Sequence, residues 1–141
     1  MRVLICGFLC TFCLLPRLLQ AAAASPGEGE VLQCITEKSN FLTDKSGFRV
    51  IRMNLSNLTK KGDFLTYRIP FEEGHAYSIL VCGESTIKKL ELKVFNPEGY
   101  LEQQDVAMKG IQYQAKASGD YWIKILAIQG QGHISLSVMM K

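Results

Sequence analysis

The sequence is poor in most things that announce a chemistry. Its 141 residues hold two histidines, one tryptophan and four prolines. Past residue 24 there is no apolar run long enough to span a bilayer, which takes about 20 residues. No Gly-x-Ser-x-Gly, His-Glu-x-x-His or Cys-His signature occurs, so no nucleophile, base and orienting acid are assembled by motif. The 16 basic and 13 acidic residues are interspersed and sum to +3. A nucleic-acid binder would carry a clustered basic face, so no nucleic-acid partner is expected. Catalysis is not expected either. A glycosidase needs two carboxylates held at a set separation, and nothing selects a pair among Glu72, Glu73, Glu98, Glu102 and Asp105, which lie in or beside turns.

What is present begins with an export signal. Arg2 is followed by the apolar run Val3 to Leu15, then Pro16-Arg17 and the small residues Ala21 to Ala24. A positive start, a short apolar core and a small-residue site make residues 1–24 a signal peptide. Cleavage leaves a secreted or periplasmic chain with no membrane span. It also removes Cys6, Cys10 and Cys13, leaving Cys34 and Cys82 of the five cysteines. In an oxidising compartment these two either form one bridge or pack as two buried thiols.

Ser25 to Gly29 reads as a flexible start. Val31, Leu32, Ile35 and Leu42 fall near helical spacing, which predicts a short helix from Glu30 to about Phe41, ended by Asp44-Lys45-Ser46-Gly47. Residues 25–46 thus precede a strand-rich domain at 47–141. Its first run carries Phe48, Val50, Met53 and Leu55, with a bulge near Ile51. Asp63–Phe71 follows, with Pro70 where an edge strand tolerates it. Tyr77, Ile79 and Val81 alternate up to Cys82. Leu90, Leu92 and Val94 alternate with Glu91 and Lys93 before Asn96-Pro97-Glu98-Gly99 reverses the chain. Shorter runs are Tyr100–Asp105 and Gly110–Ala115. Asp120–Ile128 and His133–Met139 close the chain; the last carries almost no charge and would be a pairing surface if it lay at an edge. Seven to eight short strands with turns every eight to twelve residues predict an all-β, antiparallel, jelly-roll-like sandwich behind a short helix. Alternation along each strand predicts that one face of each sheet is wet.

Three turns in order carry a resemblance. Glu73-Gly74-His75-Ala76-Tyr77 enters one strand, Val94-Phe95-Asn96-Pro97-Glu98-Gly99 ends another, and Ala117-Ser118-Gly119-Asp120-Tyr121-Trp122-Ile123 enters a third. From Asp63 to Met139 the chain resembles the bacterial pre-peptidase C-terminal domain, in a stand-alone exported form. The resemblance implies an accessory sandwich without catalysis. Some such domains carry an aspartate-rich segment that looks like a calcium site. Here the same stretch holds Glu84, Lys88, Lys89 and Glu91, a poor set for an ion that takes several oxygen ligands. No metal or other cofactor is expected.

The function expected is therefore recognition of a partner, either a protein or a polysaccharide surface. Rings stack on sugar faces, and Tyr100, Tyr113 and Tyr121 are the candidate ligand face. The alternatives are a small secreted hydrolase with an unrecognised site and a lumenal cargo-adaptor domain of the GOLD type.

Overall fold

The computed structural model describes residues 25–141; the expected signal peptide, residues 1–24, lies outside the described residues. A helix, α1 (Pro26–Ser46), precedes eight strands. These are β1 (Arg49–Leu58), β2 (Phe64–Phe71), β3 (Ala76–Gly83), β4 (Lys89–Phe95), β5 (Leu101–Asp105), β6 (Ile111–Gln114), β7 (Gly119–Gln129) and β8 (Gly132–Met140). They form two antiparallel four-stranded sheets, ordered β1-β8-β3-β6 and β2-β7-β4-β5. The chain crosses between sheets at nearly every connection, which is the paired Greek-key winding of a jelly roll.

The expected elements form, with three corrections. The first concerns the helix. It begins at Pro26 rather than Glu30, and the expected flexible start is its first turn. Ser25 caps it reciprocally with Glu28: the Glu28 amide donates to the Ser25 hydroxyl and the Ser25 amide to the Glu28 carboxylate. Pro26 sits at the first helical position, where no N–H is needed. At the other end Gly47 takes the left-handed conformation (φ 69°), and its amide donates to the Thr43 carbonyl. Val31, Ile35 and Ser39, four residues apart, form the buried stripe.

The second correction concerns the wet faces. The sheet β1-β8-β3-β6 is covered by α1 over its central strands, β8 and β3. In β3, Tyr77, Ile79 and Val81 face the sandwich interior, while Leu80 and Cys82 pack with Val31, Ile35, Phe48 and Met139 beneath the helix. The final strand is not an edge. It lies between β1 and β3, with Ile134, Leu136 and Val138 in the interior and Ser135, Ser137 and Met139 on the helix side. Its lack of charge follows from burial on both faces. The serines keep that surface low enough for a helix to lie on, and the Ser39 hydroxyl meets that of Ser137 at 3.0 Å. Cys34 on α1 is bonded to Cys82 on β3, with Cα atoms 6.2 Å apart, so the bridge forms.

The third concerns β1. Its bulge falls at Ile51, between Val50 and Arg52. Phe48 is buried, but Val50, Met53 and Leu55 are 44%, 41% and 40% exposed on the helix side of an edge strand. Arg52, Asn54 and Ser56 take the opposite side, where the Ser56 hydroxyl meets the Tyr67 phenol at 2.8 Å. Only Leu58 at the strand's end enters the core.

Candidate functional site

The two sheets have unlike outer faces. The helix covers β3 and β8 of one; the other, on β2-β7-β4-β5, is left uncovered by the described residues. Strand pairing sets the open face in rows. One row runs Arg68, Trp122, Phe95, Leu101 across the four strands. Beside it runs Thr66, Lys124, Lys93, Gln104, and then Phe64, Leu126, Glu91. Phe64, Leu101 and Trp122 are exposed to 57%, 48% and 40%, and Tyr100 projects from the adjoining turn at 71% exposure.

Charged groups hold these rings in place. The Arg68 guanidinium lies 5.8 Å from the centre of the Trp122 ring and is anchored by Asp120, its Nε donating at 2.7 Å. The Lys124 ammonium lies 4.2 Å from the centre of the Phe64 ring. Glu91 accepts from Lys93 at 2.9 Å and from the Gln104 amide at 2.6 Å. Aromatic rings and arginine on a rigid sheet are the composition of an interface anchor. Cation–ring contacts cost the open face little and keep the rings presented rather than collapsed.

The tyrosines chosen from the sequence are not on this face together. Tyr113 is 6% and Tyr121 1% exposed, both in the sandwich interior. Tyr121 stacks on Phe71, which stacks on Tyr77 with ring centres 3.7 Å apart. Its phenol donates to the Ala117 carbonyl. Burial pushes the Tyr113 phenol upward, and Tyr121 beside it adds to that. Only Tyr100 is free to meet a ligand, so the three rings do not make a sugar-stacking platform. The outward ring of β7 is Trp122. The signal for it was local: Tyr121 and Trp122 are neighbours in one strand, so one must face out. Asp120 and Lys124, sharing the parity of Trp122, mark the wet side.

The remaining candidates are accounted for by structure. Glu84 lies in the loop after β3. It accepts from the His133 amide at 2.9 Å, meets His133 Nδ1 at 2.7 Å and accepts from the Thr86 hydroxyl at 2.6 Å. Those bonds, the Thr86 hydroxyl first, bring its pKa down to about 2. The other ring nitrogen of His133 faces the Glu28 carboxylate at 3.8 Å. Both nitrogens are thus turned to carboxylates, where a hydrolytic base needs a nucleophile. The Thr86 hydroxyl is spent on Glu84 and the Gln131 carbonyl. His75 Nδ1 lies 3.7 Å from the Glu72 carboxylate across a turn, beyond hydrogen-bond distance. Cys82 is in the disulfide. Glu84 and Glu91, the carboxylates of the stretch compared with a calcium segment, are each committed to neighbouring donors.

No family model and no curated protein matches the chain. Among solved structures it is similar to PliG of Aeromonas hydrophila, a periplasmic lysozyme inhibitor of g-type lysozyme. The TM-score is 0.55 at 19% identity, over 64% of this chain and 85% of that one. The Escherichia coli PliG mutant gives 0.49 at 14% identity, over 69% and 92% of the two chains. The Salmonella Typhimurium PliG gives 0.45 at 16%, over 64% and 88%. The first of these likenesses is one of fold.

Proposed function

We propose that the protein is an exported, non-catalytic module that recognises another protein through the open face of β2-β7-β4-β5. The observation that carries this is the asymmetry of the sandwich. One sheet is roofed by a disulfide-tethered helix; the other presents Arg68, Trp122, Phe95 and Leu101 as a row on rigid strands. Interface anchors are drawn from such residues, and a rigid sheet offers them at little ordering cost. The disulfide belongs to an oxidising compartment, in keeping with the export signal, and among the described residues no helix is long and apolar enough to cross a membrane.

The fold likeness suggests which partner to try first, a g-type lysozyme, and a periplasmic location. The pre-peptidase-like turns stay compatible with this reading. Gly119 opens β7 directly against Pro97, where an added Cβ would lie 2.7 Å from the proline Cγ. The two turn motifs therefore pack on each other at one end of the open sheet.

Calorimetric titration of the processed protein, from Ser25 onward, with a g-type lysozyme tests the proposal. Saturable binding that Trp122→Ala weakens at least tenfold supports it. Binding indifferent to Trp122 removes the face, and no heat at any concentration removes the partner.

A further inference from the structure

On the opposite side of the molecule a groove of about 670 Å³ runs between α1 and the strands β3 and β6. Its size is that of small-molecule sites, which span roughly 300–1,000 Å³. Phe41 and Leu42 from the helix and Leu80 from β3 make it mainly apolar. Phe41 is 61% exposed there, a large ring without cover.

Two polar features set what the groove can hold. Ser78, also lining it, is 1% exposed, and its hydroxyl has no hydrogen-bond partner among the described residues. By strand alternation it shares the helix-facing side of β3 with Leu80. A buried hydroxyl left without a partner is costly, and a ligand oxygen would satisfy it. Cationic and amide donors surround the groove: Lys109 and Gln112 from the β6 side, Lys38 from the helix. Lys38 is already tied to the Val81 and Met108 carbonyls, at 3.3 and 3.0 Å. The acid at the rim, Glu37, accepts from the Gln33 amide. Lys109 is left as the ammonium available to a ligand.

We propose that this groove binds an alkyl carboxylate of medium chain length. The chain would lie along Phe41, Leu42 and Leu80, and the carboxylate would accept from Ser78 and Lys109. The site is on the helix-roofed sheet, so it is separate from the recognition face and does not depend on it.

The probe is decanoate, used below its micelle concentration, with decanol as the uncharged control. Titration is followed by calorimetry and by backbone amide shifts in the processed protein. We expect one decanoate per chain, with shifts centred on Leu80, Gly110 and Gln112. Decanol binds at least tenfold more weakly. Lys109→Glu, an exposed change that folding tolerates, weakens decanoate at least tenfold. Ser78→Ala also weakens it, while leaving the melting temperature of the free protein equal or higher because the unpartnered hydroxyl is gone. Absence of saturable decanoate binding overturns the proposal. So does equal affinity for decanol, or binding unchanged in Lys109→Glu.

Discussion

Cys34 and Cys82 join the first helix to the third strand, 48 residues apart in the chain. The bond fixes α1 over β3 and β8 and thereby decides which sheet is left open. Cross-linking a loop of that length removes about 4 kcal/mol of unfolded-chain freedom in the entropy model. Replacing both cysteines by serine is expected to cost about 2–4 kcal/mol, read by urea denaturation. A smaller loss would mean that Val31, Ile35 and Met139 hold the helix without help.

The Glu84 latch predicts an acid limb. Its carboxyl is held at about 2 in the folded protein, against an ordinary value of 4.5. A depressed carboxylate contributes stability above its ordinary value and loses it as the pH falls toward the folded one. Melting temperature should therefore drop between pH 4.5 and about 2. Glu84→Gln should lower stability at neutral pH by about 1–3 kcal/mol and flatten that limb. Asp63, held low by the Thr59 hydroxyl, and Glu102, held low by Lys116, contribute in the same direction. An unchanged slope in the Glu84 variant would contradict the assignment.

Of the described glycines, Gly130 has the closest backbone atom against it. Its φ is +96°, and an added Cβ would lie 2.2 Å from the Thr86 carbonyl oxygen. Both conformation and space exclude a side chain, so Gly130→Ala should destabilise by several kcal/mol or abolish folding. Gly29→Ala, in an open helical position, should instead gain up to about 1 kcal/mol. Thermal melts of the two variants make the comparison.

Trp122→Ala should leave stability within about 1 kcal/mol of the parent, because its ring is outside the core. Its effect on partner binding should be about 2 kcal/mol or more, as for an interface anchor. Thr36→Ala, exposed on the helix, should change neither. Reversal of the two, with Thr36 felt and Trp122 silent, would place recognition on the roofed side.

Much of the fold was legible because local patterns agreed with one another. The alternation in Leu90, Leu92 and Val94, the Asn96–Gly99 turn, the bulge at Ile51 and Pro70 on an edge strand all stand where the sequence places them. The errors share one cause, which is that a single strand does not reveal what covers its second face. The uncharged run Ile134 to Met139 reads equally as an edge or as a strand buried twice. Val50, Met53 and Leu55 alternate like a core-facing strand, although they flank the helix on the exposed side. Gly27 and Gly29 suggest flexibility at the helix start, but the capping box of Ser25 and Glu28 overrides them. At the site, choosing Tyr121 over Trp122 was an error of parity that Asp120 and Lys124 could have corrected.

The most direct test of the central claim is an amide-shift map of the labelled, processed protein on addition of a g-type lysozyme. Perturbation is expected on Arg68, Trp122, Lys124, Phe95 and Leu101, with α1 and β6 unaffected. Perturbation confined to α1 and β6, or a spectrum unchanged at saturating lysozyme, would contradict it.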